Sequence, residues 1–213
     1  MDGAARRERL ARARLYLVVE ARPGGGDPTP LLDAALRGGV DVVQLRDKDL
    51  ADDALVHAAA AFRRACDRHG ALFILNDRPD LVGAAAADGV HVGQDDAAVP
   101  EARSAVGPDR LVGLSVSSRA ELEAATGADA DYLGVGAVFG TPTKPDAMGS
   151  GLELVRAAAV RSRVPWFAIG GVDLSNAAEL VAAGASGVAV VRAIRDAEDP
   201  EAAARALRAL LPA

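Results

Sequence analysis

A single (β/α)8 barrel, the TIM-barrel class, is what this 213-residue sequence predicts, and three observations carry the prediction. Eight short apolar runs rich in β-branched residues alternate with eight segments of helical character. They recur at a spacing of about 25 residues, the period of a compact barrel built from such units. Polar residues collect just after the strands, at the end where barrels of this class place their chemistry. A doubly wound open sheet is the runner-up, but it would carry fewer strands and one glycine-rich nucleotide loop.

Taken in order, residues 1–14, MDGAARRERLARAR, read as an N-terminal extension, with the barrel domain at 15–213. The extension is arginine-rich like a transit peptide, but Asp2, Glu8 and the lack of serine favour a frayed, solvated helix. LYLVVE at 15–20 is the first strand, followed by the flexible ARPGGGDPTP and a helix at 31–37 that ends on Gly38-Gly39. VDVVQL at 40–45 is the second strand, and 52–69 is a long helix closed by Gly70. Further strands are expected at 72–75, 90–92, 111–114, 132–135, 166–169 and 187–191. Helices are expected between and after them at 79–87, 97–106, 118–126, 151–161, 174–183 and 199–211.

Bulk composition narrows the function. Thirty acidic residues against 24 Lys plus Arg give a net charge of -6, and aromatics make up 3% of the chain. Nucleic-acid binding needs a broad basic surface and stacking platforms, so it is not expected. No apolar run reaches the roughly 18 residues of a membrane span and no signal-peptide core follows the N-terminus, which favours a cytoplasmic protein. The single cysteine, Cys66, excludes an internal disulfide framework and reads as a buried, inert thiol. A homo-oligomer is left open.

In a barrel, the strand ends bear the candidate chemistry. Gln44, Arg46 and Lys48 alternate with Leu45 and Asp47, so the three project from one face toward the barrel mouth. Arg46 offers a planar fork and Lys48 a mobile point charge for an anion such as a diphosphate; a surface cluster with Asp47 and Asp49 is the competing reading. Asp77 and Asp96, at neighbouring strand ends, suit Mg²⁺ completed by phosphate oxygens and water, with Asp95 as an alternative ligand and helix capping as the bland alternative. The stretch DYLGVGAVFGTPTKPDAMGSG, residues 131–151, runs from an apolar strand into a loop with Thr141, Thr143 and Lys144 held between Pro142 and Pro145. Gly170-Gly171 after the seventh strand and Val191-Arg192 after the eighth match the place where this barrel type binds phosphate. His57, His69 and His91 lie away from the strand ends and are expected to be structural, and no nucleophile sits beside a base.

QLRDK, LND, GVHVGQDD, GLS, GTPTK, FAIGGV and GVAVVRAI, in this order, resemble the thiamine-phosphate synthase family over nearly the whole of residues 15–211. The resemblance implies a transferase that joins 4-amino-2-methyl-5-hydroxymethylpyrimidine diphosphate to a thiazole phosphate, or its carboxylated form, and releases pyrophosphate. It implies pyrimidine diphosphate binding by Gln44, Leu45, Arg46, Asp47, Lys48, Asn76, Ser115 and Lys144, and Mg²⁺ on Asp77 and Asp96. Thiazole phosphate would lie against Thr141, Pro142, Thr143, Gly171, Val191 and Arg192, and Arg46, Lys48 and Lys144 would act catalytically as positive charges. Three positions depart from the family pattern: Ser117 where many members have histidine, Arg192 where many have serine, and Gly140 where many have proline. A thiazole tautomerase and a non-catalytic sensor of thiamine precursors are the competing functions.

Overall fold

The computed structural model describes residues 1–140 and 151–212. Its eight strands are β1 (Leu15–Val19), β2 (Val42–Leu45), β3 (Leu72–Asn76), β4 (Gly89–Val92), β5 (Leu111–Val116), β6 (Tyr132–Val135), β7 (Trp166–Ile169) and β8 (Val188–Val190). They pair in sequence order, and β8 returns to β1 to close the barrel. Every pairing is parallel, so the fold is the expected (β/α)8 barrel. Both faces of such strands are buried, which is why they read as apolar runs rather than as alternating polar and apolar residues.

The helices are α1 (Gly3–Arg12), α2 (Thr29–Arg37), α3 (Asp52–His69), α4 (Val99–Val106), α5 (Arg119–Ala125), α6 (Gly151–Arg161), α7 (Ala177–Ala182), α8 (Arg192–Arg195) and α9 (Pro200–Leu210). One expected helix fails. Residues 79–87 form only a single 3-10 turn, Pro79–Leu81, followed by irregular chain. Ala86 there has φ +52°, left-handed backbone that an α-helix does not accept, so the alanine-rich composition is overridden by the tight return to β4. The four-residue helix α8, directly after β8, has no separate counterpart among the expected elements.

The core forms two shells. The outer one lies between strands and helices and includes Leu17, Val43, Leu45, Phe62, Phe73 and Leu75. The inner one fills the barrel with Tyr16, Val18, Val42, Leu72, Ile74, Leu111, Tyr132, Phe167 and Ala189. Gly113 makes this filling feasible: a Cβ there would come within 2.1 Å of the Tyr132 ring. Cys66 is buried in the outer shell, and burial pushes its thiol up to about 12, in keeping with an inert side chain.

The N-terminal extension is a helix docked along one face, with the other in solvent. Leu10 and Ala13 join the inner core at the N-terminal ends of the strands. Arg6 Nε donates to Asp88 at 2.9 Å and Arg7 Nε to Asp131 at 2.7 Å, fastening α1 across the barrel floor. Three aspartates complete that floor. Asp41 accepts from the Leu15 N–H (3.0 Å), Asp88 from the Phe73 N–H (3.0 Å) and Asp131 from the Val112 N–H (2.8 Å). In each case the aspartate's own N–H donates to the carbonyl of that same residue, so one residue is held twice. Among the described residues, no helix is long and apolar enough to cross a membrane.

Candidate active site

At the opposite end, the strand ends surround a cavity of about 940 Å³. Gln44, Arg46, Lys48, Asn76, Asp77, Asp96, Ser115, Gly171, Val191 and Arg192 all line it, together with Asp95. The period-two alternation after β2 therefore sends Gln44, Arg46 and Lys48 where it should. Leu45 and Asp47 leave on the other side: Leu45 is fully buried in the outer shell, and Asp47 accepts from the Ala21 N–H at 3.3 Å. Any contact they make with a cavity ligand is through backbone. Thr141, Pro142, Thr143 and Lys144 lie outside the described residues. The end of β7 and the turn after it receive the chain that leads to them: Val138 N donates to Ile169 O (2.8 Å) and Phe139 N to Gly170 O (3.0 Å). Gly171, at φ +66°, packs so tightly there that a Cβ would lie 2.9 Å from Gly140 O.

The carboxylates at the mouth are crowded. Asp77 is half-buried and shares a hydrogen bond with Asp96. Burial, then this carboxyl neighbour, raises the Asp77 pKa above the ordinary carboxylate value, with Lys48 only partly offsetting them. Lys48 Nζ is 3.1 Å from Asp77 Oδ2, and Asp96 Oδ2 accepts from the Gly93 N–H at 2.8 Å. Asp77 also has φ +60°, an uncommon conformation for a residue with a side chain, and its N–H donates to His91 O at 2.9 Å. Strained backbone and a disfavoured charge pair at one point are the signature of a site shaped for a ligand rather than for stability.

The donor set fits a hard divalent cation. Among the described residues, no group of three or more His, Cys, Asp or Glu side chains is arranged to hold a metal. Mg²⁺ needs no such cage, because it keeps several waters and is commonly held by one or two carboxylates plus phosphate oxygens. On the rest of the rim the basic side chains Arg46, Lys48, Arg192 and Arg195 alternate with Glu20, Asp95, Glu121, Asp173 and Asp196. Arg46 and Arg192 enter no ion pair among the described residues, whereas Arg195 is engaged by Glu20 and Asp196. Arg46 and Arg192 thus face the cavity with charge available to a ligand anion, and Lys48, which also lines it, is held against Asp77.

Two features escaped the sequence reading. Glu121 of α5 lines the cavity and accepts from the Ser117 N–H (2.6 Å) and Ser117 Oγ (3.0 Å), so Ser117 is tied to its own helix. His91 is the second, and its structural assignment from sequence was incomplete. Its ring points into the barrel, lines the cavity and lies 2.9 Å from Ser115 Oγ through Nε2 and 3.2 Å from the Tyr132 hydroxyl through Nδ1. The signal was available: Gly89, His91 and Gly93 share one parity in β4 and its extension, so His91 faces the interior. The other two histidines lie elsewhere, His69 beside Asp33 and His57 in a separate cleft between α3 and the loop after β1.

Comparison with known proteins bears on this arrangement. A family model described as thiamine monophosphate synthase matches residues 15–194. The thiamine-phosphate synthase of Streptomyces avermitilis is 50% identical over 200 residues, covering 93% of each chain. That of Thermobifida fusca is 49% identical, covering 97% of this chain and 96% of its own. A thiamine-phosphate synthase from a Nostoc species is 46% identical over 89% of this chain, which spans only 53% of that relative's length. Among solved structures, the thiamine phosphate pyrophosphorylase of Pyrococcus furiosus superposes with a TM-score of 0.86 at 33% identity, covering 94% of this chain and 96% of its own.

Proposed function

Because the chain belongs to the thiamine monophosphate synthase family, we propose that it joins 4-amino-2-methyl-5-hydroxymethylpyrimidine diphosphate to 4-methyl-5-(2-phosphooxyethyl)thiazole, or its carboxylated form. The products are thiamine phosphate and pyrophosphate, with CO2 released as well when the thiazole is carboxylated. The observation that carries this reading is the meeting of Arg46, Lys48, Asp77 and Asp96 around one cavity that reaches across to Gly171 and Arg192. Two anionic groups fit there, one at each side.

In this reading, Gln44, Asn76 and Ser115 seat the aminopyrimidine, and Arg46, Lys48 and Lys144 bind its diphosphate. Mg²⁺ held by Asp77 and Asp96 would add positive charge against the diphosphate oxygens. The bond from the pyrimidine methylene carbon to the diphosphate oxygen breaks, its electron pair leaving with pyrophosphate. Arg46, Lys48 and Lys144 stabilise that departing charge more than they stabilise the ground state, which is where an electrostatic site gains its rate. The positive charge left on the methylene carbon spreads into the amino-substituted ring, and the thiazole nitrogen attacks it. Thr141, Pro142, Thr143, Gly171, Val191 and Arg192 hold the thiazole phosphate so that this nitrogen faces the carbon. No protein nucleophile enters the scheme. The substrates are small phosphorylated molecules, and the reading places the enzyme in the cytoplasm without nucleic-acid or membrane partners, as a monomer or homo-oligomer.

Mass-spectrometric detection of thiamine phosphate from purified protein and the two substrates, with Mg²⁺ or with EDTA, tests the proposal. Product that requires the metal supports it. Binding of both substrates without product would make the chain a sensor, and absence of binding would remove the substrate assignment.

A further inference from the structure

At the base of the cavity, five polar side chains from five strands form one continuous hydrogen-bonded row. Gln44 Nε2 donates to the Tyr16 hydroxyl at 2.9 Å, and that oxygen is 3.0 Å from the Tyr132 hydroxyl. Tyr132 is 3.2 Å from His91 Nδ1, and His91 Nε2 is 2.9 Å from Ser115 Oγ. Both tyrosines are buried at the cavity base, and Phe167 packs edge-on against both rings. Burial raises both phenol pKa values, so each keeps its proton and has one hydrogen to place.

That count gives the row a direction. Gln44 supplies hydrogen to the Tyr16 oxygen, so the Tyr16 hydrogen finds its acceptor in Tyr132. Tyr132 in turn gives its hydrogen to His91 Nδ1. Run the other way, Tyr132 would donate to Tyr16 and leave the Tyr16 hydrogen facing the Gln44 amide hydrogens, a stranded buried donor costing about 1–3 kcal/mol. With Nδ1 occupied as an acceptor, the hydrogen of a neutral imidazole resides on Nε2 and is donated to Ser115 Oγ. The Ser115 hydroxyl hydrogen is thereby released toward the cavity it lines.

We infer that His91 is a positioning residue, set by the Gln44–Tyr16–Tyr132 row as the Nε2–H tautomer, which makes Ser115 a hydrogen-bond donor to the substrate. The inference deepens the proposed function and rests on it in one respect: the substrate group selected is an unprotonated ring nitrogen, such as an aminopyrimidine presents. The His91 ring is seated for this work, because the Cα of Gly134 lies beneath it; a Cβ there would stand 3.2 Å from His91 Cε1. A heterocycle that offers an N–H at this point would meet a second donor and be rejected.

The experiment is nitrogen NMR of the full chain carrying ¹⁵N-labelled histidine, with the His91 signals identified by their loss in His91→Gln. The expected spectrum has Nε2 protonated and Nδ1 bare. Gln44→Glu replaces the donor at the head of the row with an acceptor and is expected to move the hydrogen to Nδ1. Tyr132→Phe is expected to give mixed tautomers and to weaken binding of the unphosphorylated aminopyrimidine alcohol about tenfold, one hydrogen bond's worth, with inorganic phosphate binding unchanged. A wild-type Nδ1–H tautomer, or a tautomer indifferent to Gln44→Glu, would overturn the inference. Should Tyr132→Phe not fold, the Gln44→Glu spectrum decides alone. The spectrum needs no substrate, so failure of the aminopyrimidine to bind wild-type protein would count against the proposed function instead.

Discussion

The two ends of this barrel use the same residue type to opposite effect. At the floor, Asp88 accepts from the Arg63 guanidinium (2.8 Å), the Phe73 N–H (3.0 Å) and Arg6 (2.9 Å). Burial alone would raise its pKa, but these donors outweigh burial and the net shift is downward. At the mouth, Asp77 is also taken out of water, yet its neighbours are another carboxyl group and a single lysine, and its shift is upward. Donor supply, not burial, separates the carboxylate whose pKa falls from the one whose pKa rises. Asp131 repeats the floor pattern, with Arg7, Arg103 and the Val112 N–H around it.

Substitution at each end tests this contrast, and the largest effect belongs to the mouth. Asp77→Asn is expected to lower turnover by about 10²–10³-fold, the range for losing one preorganised electrostatic contact, while leaving the thermal midpoint unchanged or slightly raised. Parallel loss of stability and activity would break the comparison. Asp88→Asn should do the reverse. Leaving Arg6 and Arg63 without their shared buried anion is expected to cost about 3–5 kcal/mol in urea unfolding, with kcat of the folded fraction preserved.

Acid sharpens the same point. The folded pKa of Asp88 is depressed, so its stabilisation is complete above the unfolded carboxyl value of about 3.9 and fades as pH falls through the folded value. Urea melts of wild type and Asp88→Asn should therefore differ most at neutral pH and converge in acid; a constant gap would show that packing rather than charge is responsible. The smallest effect is expected at an exposed pair that belongs to neither end. Arg12→Ala removes the partner of Glu8 on the solvent side of α1 and should shift stability by less than about 0.5 kcal/mol.

Strands and strand ends were legible in the sequence because a fully buried parallel strand leaves an apolar run, and glycine or an aspartate marks where it stops. The cavity followed from parity: Gln44, Arg46 and Lys48 share one face wherever β2 sits in the barrel. What was not legible depended on partners remote in the chain. Arg6 and Arg7 look like solvated charge until Asp88 and Asp131 arrive 82 and 124 residues later. The alanines of 79–87 promise a helix because propensity is local, while the sharp return to β4 is a tertiary constraint. His91 fell between the two cases. Its inward parity could be read, but Tyr132 and Ser115 as its partners required the closed barrel.

The double-held aspartates also divide the barrel unevenly. Asp41, Asp88 and Asp131 precede β2, β4 and β6 and bind them to β1, β3 and β5. Ser186 stands in the corresponding place ahead of β8, so β7 and β8 lack a carboxylate buckle. The barrel is then a cask of four two-stave panels, three fastened at the base by carboxylates and one held there by its backbone ladder and apolar packing. Amide hydrogens of that fourth panel should be the first among the strands to exchange with deuterium, because its opening breaks the fewest bonds.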